Sequence, residues 1–170
     1  LQTTLTGNTI RDNHIHHIYQ DPLKLEYSSD NTIRGNDLEA NYHGGISLYY
    51  SDQNVLVDNS LSGQSLSFHL RGAEKNVIDD NYIYDSSKGV YLEAGSNHNT
   101  IVNNTIIESY TSGIYLATWS NYNDIYHNVV IGTKINAGIC LYNCDMNHIY
   151  QNDFIDTYLG AFDDGDNTWW

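Results

Sequence analysis

The sequence predicts an all-β fold, a right-handed single-stranded parallel β-helix (solenoid) of about seven coils, each with about 22–24 residues and three short strands. Two observations support this prediction. A short phrase recurs at nearly constant spacing, and the apolar residues between the turns alternate with the period of a strand. The composition agrees, because a chain with 21 Asn and 13 Gly among 170 residues is poorly suited to helices.

The recurring phrase is Asn-x-apolar-x-x-Asn-x-apolar, and a second phrase, Gly-apolar-x-apolar, precedes most of its copies, as at residues 45–48 and 113–116. We expect Asn at the corners of the coils because it tolerates left-handed backbone conformations and because stacked Asn side chains form ladders. The copies of the first phrase start at Asn8, Asn31, Asn54, Asn76, Asn99, Asn123 and Asn147, and a partial eighth copy starts at Asn167.

A repeat of this length cannot bury its own apolar face, whereas stacked repeats share one continuous core. We therefore expect residues 1–170 to form a single β-helix domain, and we expect that domain to be a segment of a longer exported protein. Two cysteines, Cys140 and Cys144, are too few for a disulfide framework, and the sequence leaves their pairing open.

The charge of the chain disfavours one class of partner. Seven Lys and Arg residues against 21 Asp and Glu residues give a formal net charge of -14. Nucleic-acid binding relies on basic patches that neutralise phosphates, so we expect no nucleic-acid partner. Because the chain has no apolar run of about 18 residues, we also expect no membrane insertion.

The repeating Asn, Gly and Ile residues resemble the parallel β-helix repeat family, which includes NosD-like periplasmic accessory proteins, mannuronan C5-epimerases, pectate-lyase-like enzymes and archaeal cell-surface proteins. The resemblance covers about residues 7–170, and the closing residues 161–170 are similar to the end of NosD-type surface repeats. It implies a β-helix fold and a location outside the cell, on the cell surface or in the periplasm.

Alternation predicts two columns of outward side chains on the sheet that carries the Gly-apolar-x-apolar phrase. We call the polar and aromatic members of these columns the tyrosine wall. The first column is Lys24, Ser47, His69, Tyr91, Tyr115 and Cys140, and the second is Glu26, Tyr49, Arg71, Glu93, Ala117 and Tyr142.

The tyrosine wall carries the groups that uronate chemistry needs. Arg71 or Lys24 would neutralise a sugar carboxylate, His69 or a tyrosine would remove the C5 proton, and a tyrosine would supply one. The alternative is an exposed Arg71–Glu93 ion pair among ordinary tyrosine neighbours. The candidate catalytic residues are His69, Arg71, Glu93 and Tyr91. The candidate carbohydrate-binding residues are Lys24, Tyr49, Tyr91, Tyr115 and Tyr142.

One motif of the epimerases in this family is not reproduced. Where those enzymes carry Asp-Pro-His-Asp, this chain has Asp21-Pro22-Leu23-Lys24, which lacks the histidine and the second aspartate. This difference leaves open whether the protein is an enzyme.

Two groups of side chains are candidate metal ligands. His14 and His16, with Asp37 and Glu39 one coil later, are ligand types that Zn or Cu accepts, although such clusters are more often His–carboxylate contacts on a solvated face. A turn with three aspartates offers hard oxygen ligands of the kind that Ca²⁺ prefers, which makes calcium a candidate cofactor, although an ordinary polar turn is the more common explanation of such residues. The three aspartates are Asp163, Asp164 and Asp166.

Ile107, Ile131 and Ile155 occupy one outer column on successive coils and form an apolar stripe. A stripe of this kind suggests a docking surface for copies of the protein or for another segment of it.

Three functions fit these residues. The first is an extracellular or cell-surface β-helix module with a structural or carbohydrate-binding role, which binds polysaccharide or self-assembles. The alternative is a polysaccharide lyase or uronate C5-epimerase acting on an acidic polysaccharide. The third is a NosD-like periplasmic accessory protein that handles metal.

Overall fold

The computed structural model describes residues 6–170, and these residues form three parallel sheets wound into a solenoid of about seven turns. The predicted parallel β-helix is therefore confirmed. In chain order the strands are β1 (Thr9–Arg11), β2 (His14–His16), β3 (Leu23–Glu26), β4 (Thr32–Arg34), β5 (Asp37–Glu39), β6 (Gly44–Tyr49), β7 (Val55–Val57), β8 (Ser60–Ser62), β9 (Leu66–Arg71), β10 (Val77–Asp79), β11 (Tyr82–Tyr84), β12 (Lys88–Glu93), β13 (Thr100–Val102), β14 (Thr105–Ile107), β15 (Ser112–Ala117), β16 (Asp124–Tyr126), β17 (Val129–Ile131), β18 (Ala137–Tyr142), β19 (His148–Tyr150), β20 (Asp153–Ile155), β21 (Leu159–Asp163) and β22 (Thr168–Trp169).

Every third strand belongs to the same sheet, and each strand pairs in parallel with the strand one coil away. Sheet A has the order β1-β4-β7-β10-β13-β16-β19-β22, sheet B the order β2-β5-β8-β11-β14-β17-β20, and sheet C the order β3-β6-β9-β12-β15-β18-β21. None of the described residues forms a helix long and apolar enough to cross a membrane.

The core consists of columns of apolar side chains that run along the solenoid axis. In sheet A, Ile33, Leu56 and Ile78 are register partners on successive coils, and all three are completely buried. Stacking explains this burial, because each coil covers the apolar face that the previous coil cannot cover alone.

Two ladders of asparagines, buried in the middle of the solenoid, connect the coils at the two ends of the sheet A strands from β1 to β19. A central member, Asn81, shows the pattern. Its backbone N–H and its side-chain amide both donate to Oδ1 of Asn104, at 3.0 Å each, and the amide also donates to the carbonyls of Leu56 and Asp79. The ladder side chains therefore form hydrogen bonds with buried backbone groups that strand pairing leaves without a partner. The first ladder contains Asn8, Asn31, Asn54, Asn76, Asn99, Asn123, Asn147 and Asn167, and the second contains Asn13, Asn36, Asn59, Asn81, Asn104, Asn128 and Asn152.

One reason expected for Asn at the corners is wrong. The left-handed residue at each corner is the one before the ladder asparagine, as at Asp58 (φ 56°), Asp80 (φ 52°) and Gln151 (φ 54°). No ladder asparagine in residues 6–170 has a positive φ. Asn is needed at these positions for its amide, which is a donor and an acceptor at once.

The glycine of the second phrase is explained by a close approach to the core. A Cβ atom on Gly113 would lie 2.4 Å from Cγ1 of Val130 and 2.8 Å from the carbonyl oxygen of Gly138. A Cβ on Gly89 would likewise lie 2.7 Å from Cγ2 of Ile106. Glycine is therefore the only residue that fits at the start of these sheet C strands, where the backbone touches core side chains of sheet B.

The ladder predicts a position-dependent cost of removing its amides. Asn104→Ala leaves the buried N–H of Asn81 and the carbonyls of Ile78 and Val102 without their partner. We expect a loss of about 3 kcal/mol or more in the free energy of unfolding, because each unpaired buried group costs about 1–3 kcal/mol. Denaturant unfolding measures this loss.

Asn13→Ala is the matched control, because Asn13 is the exposed first member of the same ladder. We expect it to cost less than about 1 kcal/mol. An equal loss of stability in the two variants would contradict the structural role of the ladder.

Candidate functional site

The register of sheet C places the two predicted columns side by side on its outer face. In the first column, His69 is the partner of Ser47 on one side and of Tyr91 on the other. In the second, Arg71 is the partner of Tyr49 and Glu93. The tyrosine wall thus spans successive coils, and its side chains are neighbours although they are about 22–24 residues apart in the sequence.

His69 is held between two hydrogen-bond partners. Its Nδ1 lies 3.2 Å from the phenolic oxygen of Tyr49, and its Nε2 lies 3.1 Å from Oε1 of Glu93. Only 13% of the His69 side chain is exposed. The Glu93 carboxylate favours the tautomer with the proton on Nε2, which leaves Nδ1 as the acceptor that faces Tyr49.

Glu93 is the centre of this network. The Tyr91 hydroxyl donates to Oε2 of Glu93 at 2.8 Å, while Oε1 faces His69. Arg71 is a more distant partner, with its Nε 3.9 Å from Oε1 and half of its side chain exposed. The Arg71–Glu93 pair considered from the sequence therefore forms, but His69 and Tyr91 hold the carboxylate more closely.

The network changes the proton affinities of its members. Burial acts to raise the pKa of Glu93, but the hydrogen bonds from Tyr91 and His69, with the electrostatic attraction of His69 and Arg71, together hold this pKa below its usual range. Burial and the bond to Glu93 raise the pKa of Tyr91 far above that of a free phenol. Tyr91 is therefore protonated, and Glu93 is ionised, at neutral pH.

Aromatic rings continue along the first column. The His69 and Tyr91 rings are stacked, with centroids 5.2 Å apart and planes within 9°, and the Tyr115 ring follows at 5.4 Å from that of Tyr91. The Tyr49 ring meets His69 edge-on at 5.2 Å. Tyr142 lies one coil after Tyr115 and is about half exposed, but no ring contact joins it to the other described rings.

Two lysines lie over these rings. The Lys24 ammonium lies 4.5 Å from the Tyr49 centroid and also pairs with Glu26 at 3.1 Å. The Lys88 ammonium lies 4.9 Å from the Tyr91 centroid and 5.2 Å from that of Tyr115. Within residues 6–170, no carboxylate forms an ion pair with Lys88, so this cation is available to a ligand.

Lys88 is a member of this surface that unbroken alternation along the strand does not predict. Lys88 is in phase with the buried Val90 and Leu92, which predicts an inward side chain. Gly89 breaks the period, since its missing Cβ would point at the core, and the Lys88 side chain lies outside with Tyr91. A lysine directly before the glycine of the second phrase was the available signal.

The histidine cluster on sheet B is only partly assembled. Nδ1 of His14 lies 2.9 Å from Oδ2 of Asp37, and Nδ1 of His16 lies 2.7 Å from Nδ1 of His17. Glu39 is the register partner of His16 but lines a separate shallow pocket of about 200 Å³ with Tyr84 and Asp85. The described residues contain no group of three His, Cys, Asp or Glu side chains placed to hold a metal ion.

The aspartates of the candidate calcium turn are engaged in hydrogen bonds at the C-terminal end of the core. Asp163 is the register partner of the core residue Leu141, and its oxygens accept hydrogen bonds from Gly165, Asn167 and the Trp169 indole at 3.0, 2.7 and 2.7 Å. Asp164 accepts from the backbone of Asn143, and Asp166 donates its N–H to Asp145. The three aspartates predicted to bind calcium therefore do not converge on one point.

The remaining predicted features lie as follows. Cys140 and Cys144 are buried free thiols, and burial raises the pKa of each to about 11. Ile107, Ile131 and Ile155 are register partners on the outer face of sheet B, and Ile155 is 46% exposed. Their use in docking or self-assembly stays a prediction.

Comparison with known proteins identifies the family. The family model described as "Periplasmic copper-binding protein (NosD)" matches residues 2–170. The chain belongs to the NosD family. No curated protein matches the chain in sequence. The family description names copper, but the donor sets in the described residues of this NosD-family chain do not fit such a site, because His14 is engaged by Asp37 and no third ligand joins His16 and His17.

Solved structures share the fold. A double mutant of the periplasmic alginate epimerase AlgG is 23% identical, with a TM-score of 0.80 over 85% of this chain and 34% of its own, and a second AlgG mutant is 24% identical, with a TM-score of 0.74 over 78% and 32%. The A-module of the Azotobacter vinelandii mannuronan C-5 epimerase AlgE6 is 14% identical, with a TM-score of 0.74 over 95% and 56%. The chain thus spans about a third of the AlgG chains and about half of the AlgE6 module.

The lowered pKa of Glu93 predicts an acid-dependent contribution to stability. A carboxyl whose folded pKa is depressed stabilises the fold above its unfolded pKa of about 4, and this contribution is lost as the pH falls through the folded value. We expect Glu93→Gln to lower the melting temperature at pH 7, and we expect the gap to the wild type to shrink below about pH 4. Thermal unfolding across this range measures the gap, and a gap that stays constant would contradict the assignment.

Proposed function

We propose that the tyrosine wall binds an acidic, uronate-containing polysaccharide and that the protein works outside the cytoplasm, in the periplasm, on the cell surface or in the extracellular space. The Lys88 ammonium, which lies over two tyrosine rings and has no carboxylate partner among the described residues, is the observation that carries the proposal. The NosD family and the similar epimerase AlgG are both named as periplasmic proteins, which supports the location.

The distribution of charge favours this surface. Of the seven Lys and Arg residues in a chain of net charge -14, Lys24, Arg71 and Lys88 belong to the outer face of sheet C. An anionic polymer is repelled by the chain as a whole, so a place where cations cluster is where it binds best. Lys24 and Arg71 are partly neutralised by Glu26 and Glu93, whereas Lys88 is not.

The aromatic rings suit a carbohydrate as well as an anion. Tyr49, Tyr91 and Tyr115 are partly exposed, and they present apolar ring surface beside hydroxyl groups that donate and accept hydrogen bonds. With His69 on the coil between Tyr49 and Tyr91, these rings follow the coil repeat of roughly 4.8 Å, which is comparable to the length of one sugar unit. Successive sugars of an extended chain can therefore contact successive coils.

Lys88→Gln tests the binding surface. Loss of the ammonium is expected to weaken the binding of oligouronates about tenfold, which corresponds to about 1.4 kcal/mol, at low ionic strength where charge interactions are least screened. Titration calorimetry with oligouronates and with a neutral glucan measures the affinity and its dependence on the carboxylate.

Lys75→Gln is the control with the same change of net charge. Lys75 is exposed at a corner outside sheet C, where the backbone is left-handed. Gln53 occupies the matching corner one coil earlier, so glutamine fits this backbone conformation. We expect its affinity to equal that of the wild type. Equal loss of affinity in both variants, or no binding by the wild type, would refute the proposal.

A second candidate function is proton transfer at C5 of a bound uronate, and the Tyr49–His69–Glu93 arrangement favours it. His69 has one nitrogen oriented by Glu93 and the other facing the Tyr49 hydroxyl, so this pair can accept and return a proton. The AlgG and AlgE6 structures are named as epimerases of alginate or mannuronan.

The chemistry balances without an external reactant. The C5–H bond breaks when the Tyr49–His69 pair takes the proton, and the electron pair moves into the sugar carboxylate, whose charge Lys24 or Arg71 stabilises. A proton is then delivered to the opposite face of C5 by a second donor, for which the protonated phenol of Tyr91 is the candidate. The proton held by the Tyr49–His69 pair returns to this donor through Glu93, which hydrogen-bonds to both His69 and Tyr91. Removal and return of one proton inverts C5 and leaves the oxidation state unchanged.

Hydrogen exchange in D2O tests this second function. We expect polymannuronate incubated with the protein to gain deuterium at C5, and we expect His69→Gln to reduce the gain to the rate in buffer, as read by proton NMR. His127→Gln is the control, because His127 lies at a corner away from the wall where Gln151 follows one coil later. Undiminished exchange in His69→Gln would remove His69 from the mechanism.

A further inference from the structure

Ser47 has a buried hydroxyl without a partner. In the described part of the chain, only the hydroxyls of Ser47 and Ser112 are buried and have no hydrogen-bond partner, and Ser47 is 1% exposed. Buried hydroxyls are normally paired, because an unpaired one costs about 1–3 kcal/mol. An unpaired hydroxyl inside a candidate site therefore calls for a functional explanation.

The position of Ser47 places this hydroxyl beside the His69 network. Ser47 lies between Lys24 and His69 in the first column of the tyrosine wall, and Tyr49 follows two residues later on the same face of the strand. Burial and the charge of Asp21 raise the pKa of Tyr49, whereas Lys24 and the nearby Ser47 hydroxyl act to lower this pKa. In the present geometry the Ser47 hydroxyl has no hydrogen-bond partner, although it faces Tyr49 closely enough to act on the titration of that residue.

Transfer of the Tyr49 proton to His69 would create two charges. The imidazolium would be stabilised by Glu93, which already faces Nε2 at 3.1 Å. The phenolate would be stabilised in part by the Lys24 ammonium over its ring at 4.5 Å. Its oxygen would lose the proton it shared with His69 and would need a new donor.

We propose that Ser47 is the positioning residue that supplies this donor, so that its hydroxyl binds the Tyr49 oxygen once the Tyr49 proton has moved to His69. The step moves one proton from the Tyr49 oxygen to Nδ1 of His69, and the Ser47 hydroxyl turns toward the phenolate without losing its own proton. The phenolate then takes the C5 proton of a uronate. This inference rests on the second candidate function for its use, but the hydrogen bond itself is a property of the free protein.

Several other groups also face Tyr49 and affect its titration. They are Asp21, which precedes β3, Lys24 and Glu26 from β3, and His69 and Arg71 from β9. Each of them is unchanged in a Ser47 variant, so a shift in that variant reports the hydroxyl.

Titration of Tyr49 in the protein without ligand tests the proposal. The protein is labelled with ¹³Cζ-tyrosine, and the Tyr49 signal is assigned by its loss in Tyr49→Phe. We expect Ser47→Ala to raise the midpoint of the Tyr49 titration by about 1 pH unit, the effect of losing a hydrogen bond to a charged oxygen. An unchanged midpoint overturns the proposal.

Ser112→Ala is the matched control, because it removes the other unpaired buried hydroxyl from the same sheet. We expect the Tyr49 midpoint in this variant to equal that of the wild type. An equal rise in both variants would overturn the proposal, because the shift would then reflect a general change in the sheet.

The pH profile of C5 exchange is the second measurement. We expect the alkaline-rising limb of the exchange rate to move to higher pH in Ser47→Ala by the same amount as the Tyr49 midpoint. If the midpoint moves while the wild type neither binds nor exchanges oligouronates, the hydrogen bond is established and the proposed function fails. If exchange occurs with a profile that Ser47→Ala does not shift, the proposed function stands and the role of Ser47 fails.

Discussion

The registration of each coil on the next is the constraint on which the rest of the structure depends. The two Asn ladders fix it at both ends of every sheet A strand, because each amide bonds the coil before and the coil after. Once the inward columns are fixed, the outward columns are fixed too. Tyr49 and Glu93, which are 20 and 24 residues from His69 in the sequence, meet it only through this registration.

A linear repeat makes much of this fold predictable. The spacing of the asparagines gave the coil length, and alternation gave the outer columns, so that His69 beside Tyr91 followed from the sequence alone. The bonds within a column did not follow, because they depend on side-chain rotamers: Glu93 lies closer to His69 than to Arg71. Lys88 was missed because the alternation breaks at the glycine that packs against the core.

The functional information lies in the positions that differ from coil to coil. Asn, Gly and Ile recur because the solenoid requires them, and they say nothing about a ligand. His69 and Lys88 are the only residues of their types in their columns, and with Glu93 they divide the tyrosine wall into two neighbouring parts. An open part near Lys88 and Tyr115 suits binding, while the more buried part around His69 suits proton transfer, so one polymer chain can be held by the first and altered at the second.

Chemical-shift mapping with an oligouronate locates the binding surface without any substitution. We expect the shifts to concentrate on sheet C around Lys88, Tyr91 and Tyr115 and to fade toward sheets A and B. Shifts that concentrate on the isoleucine column of sheet B or on the stacked Tyr126 and Tyr150 of sheet A, or the absence of any shift, would contradict this expectation.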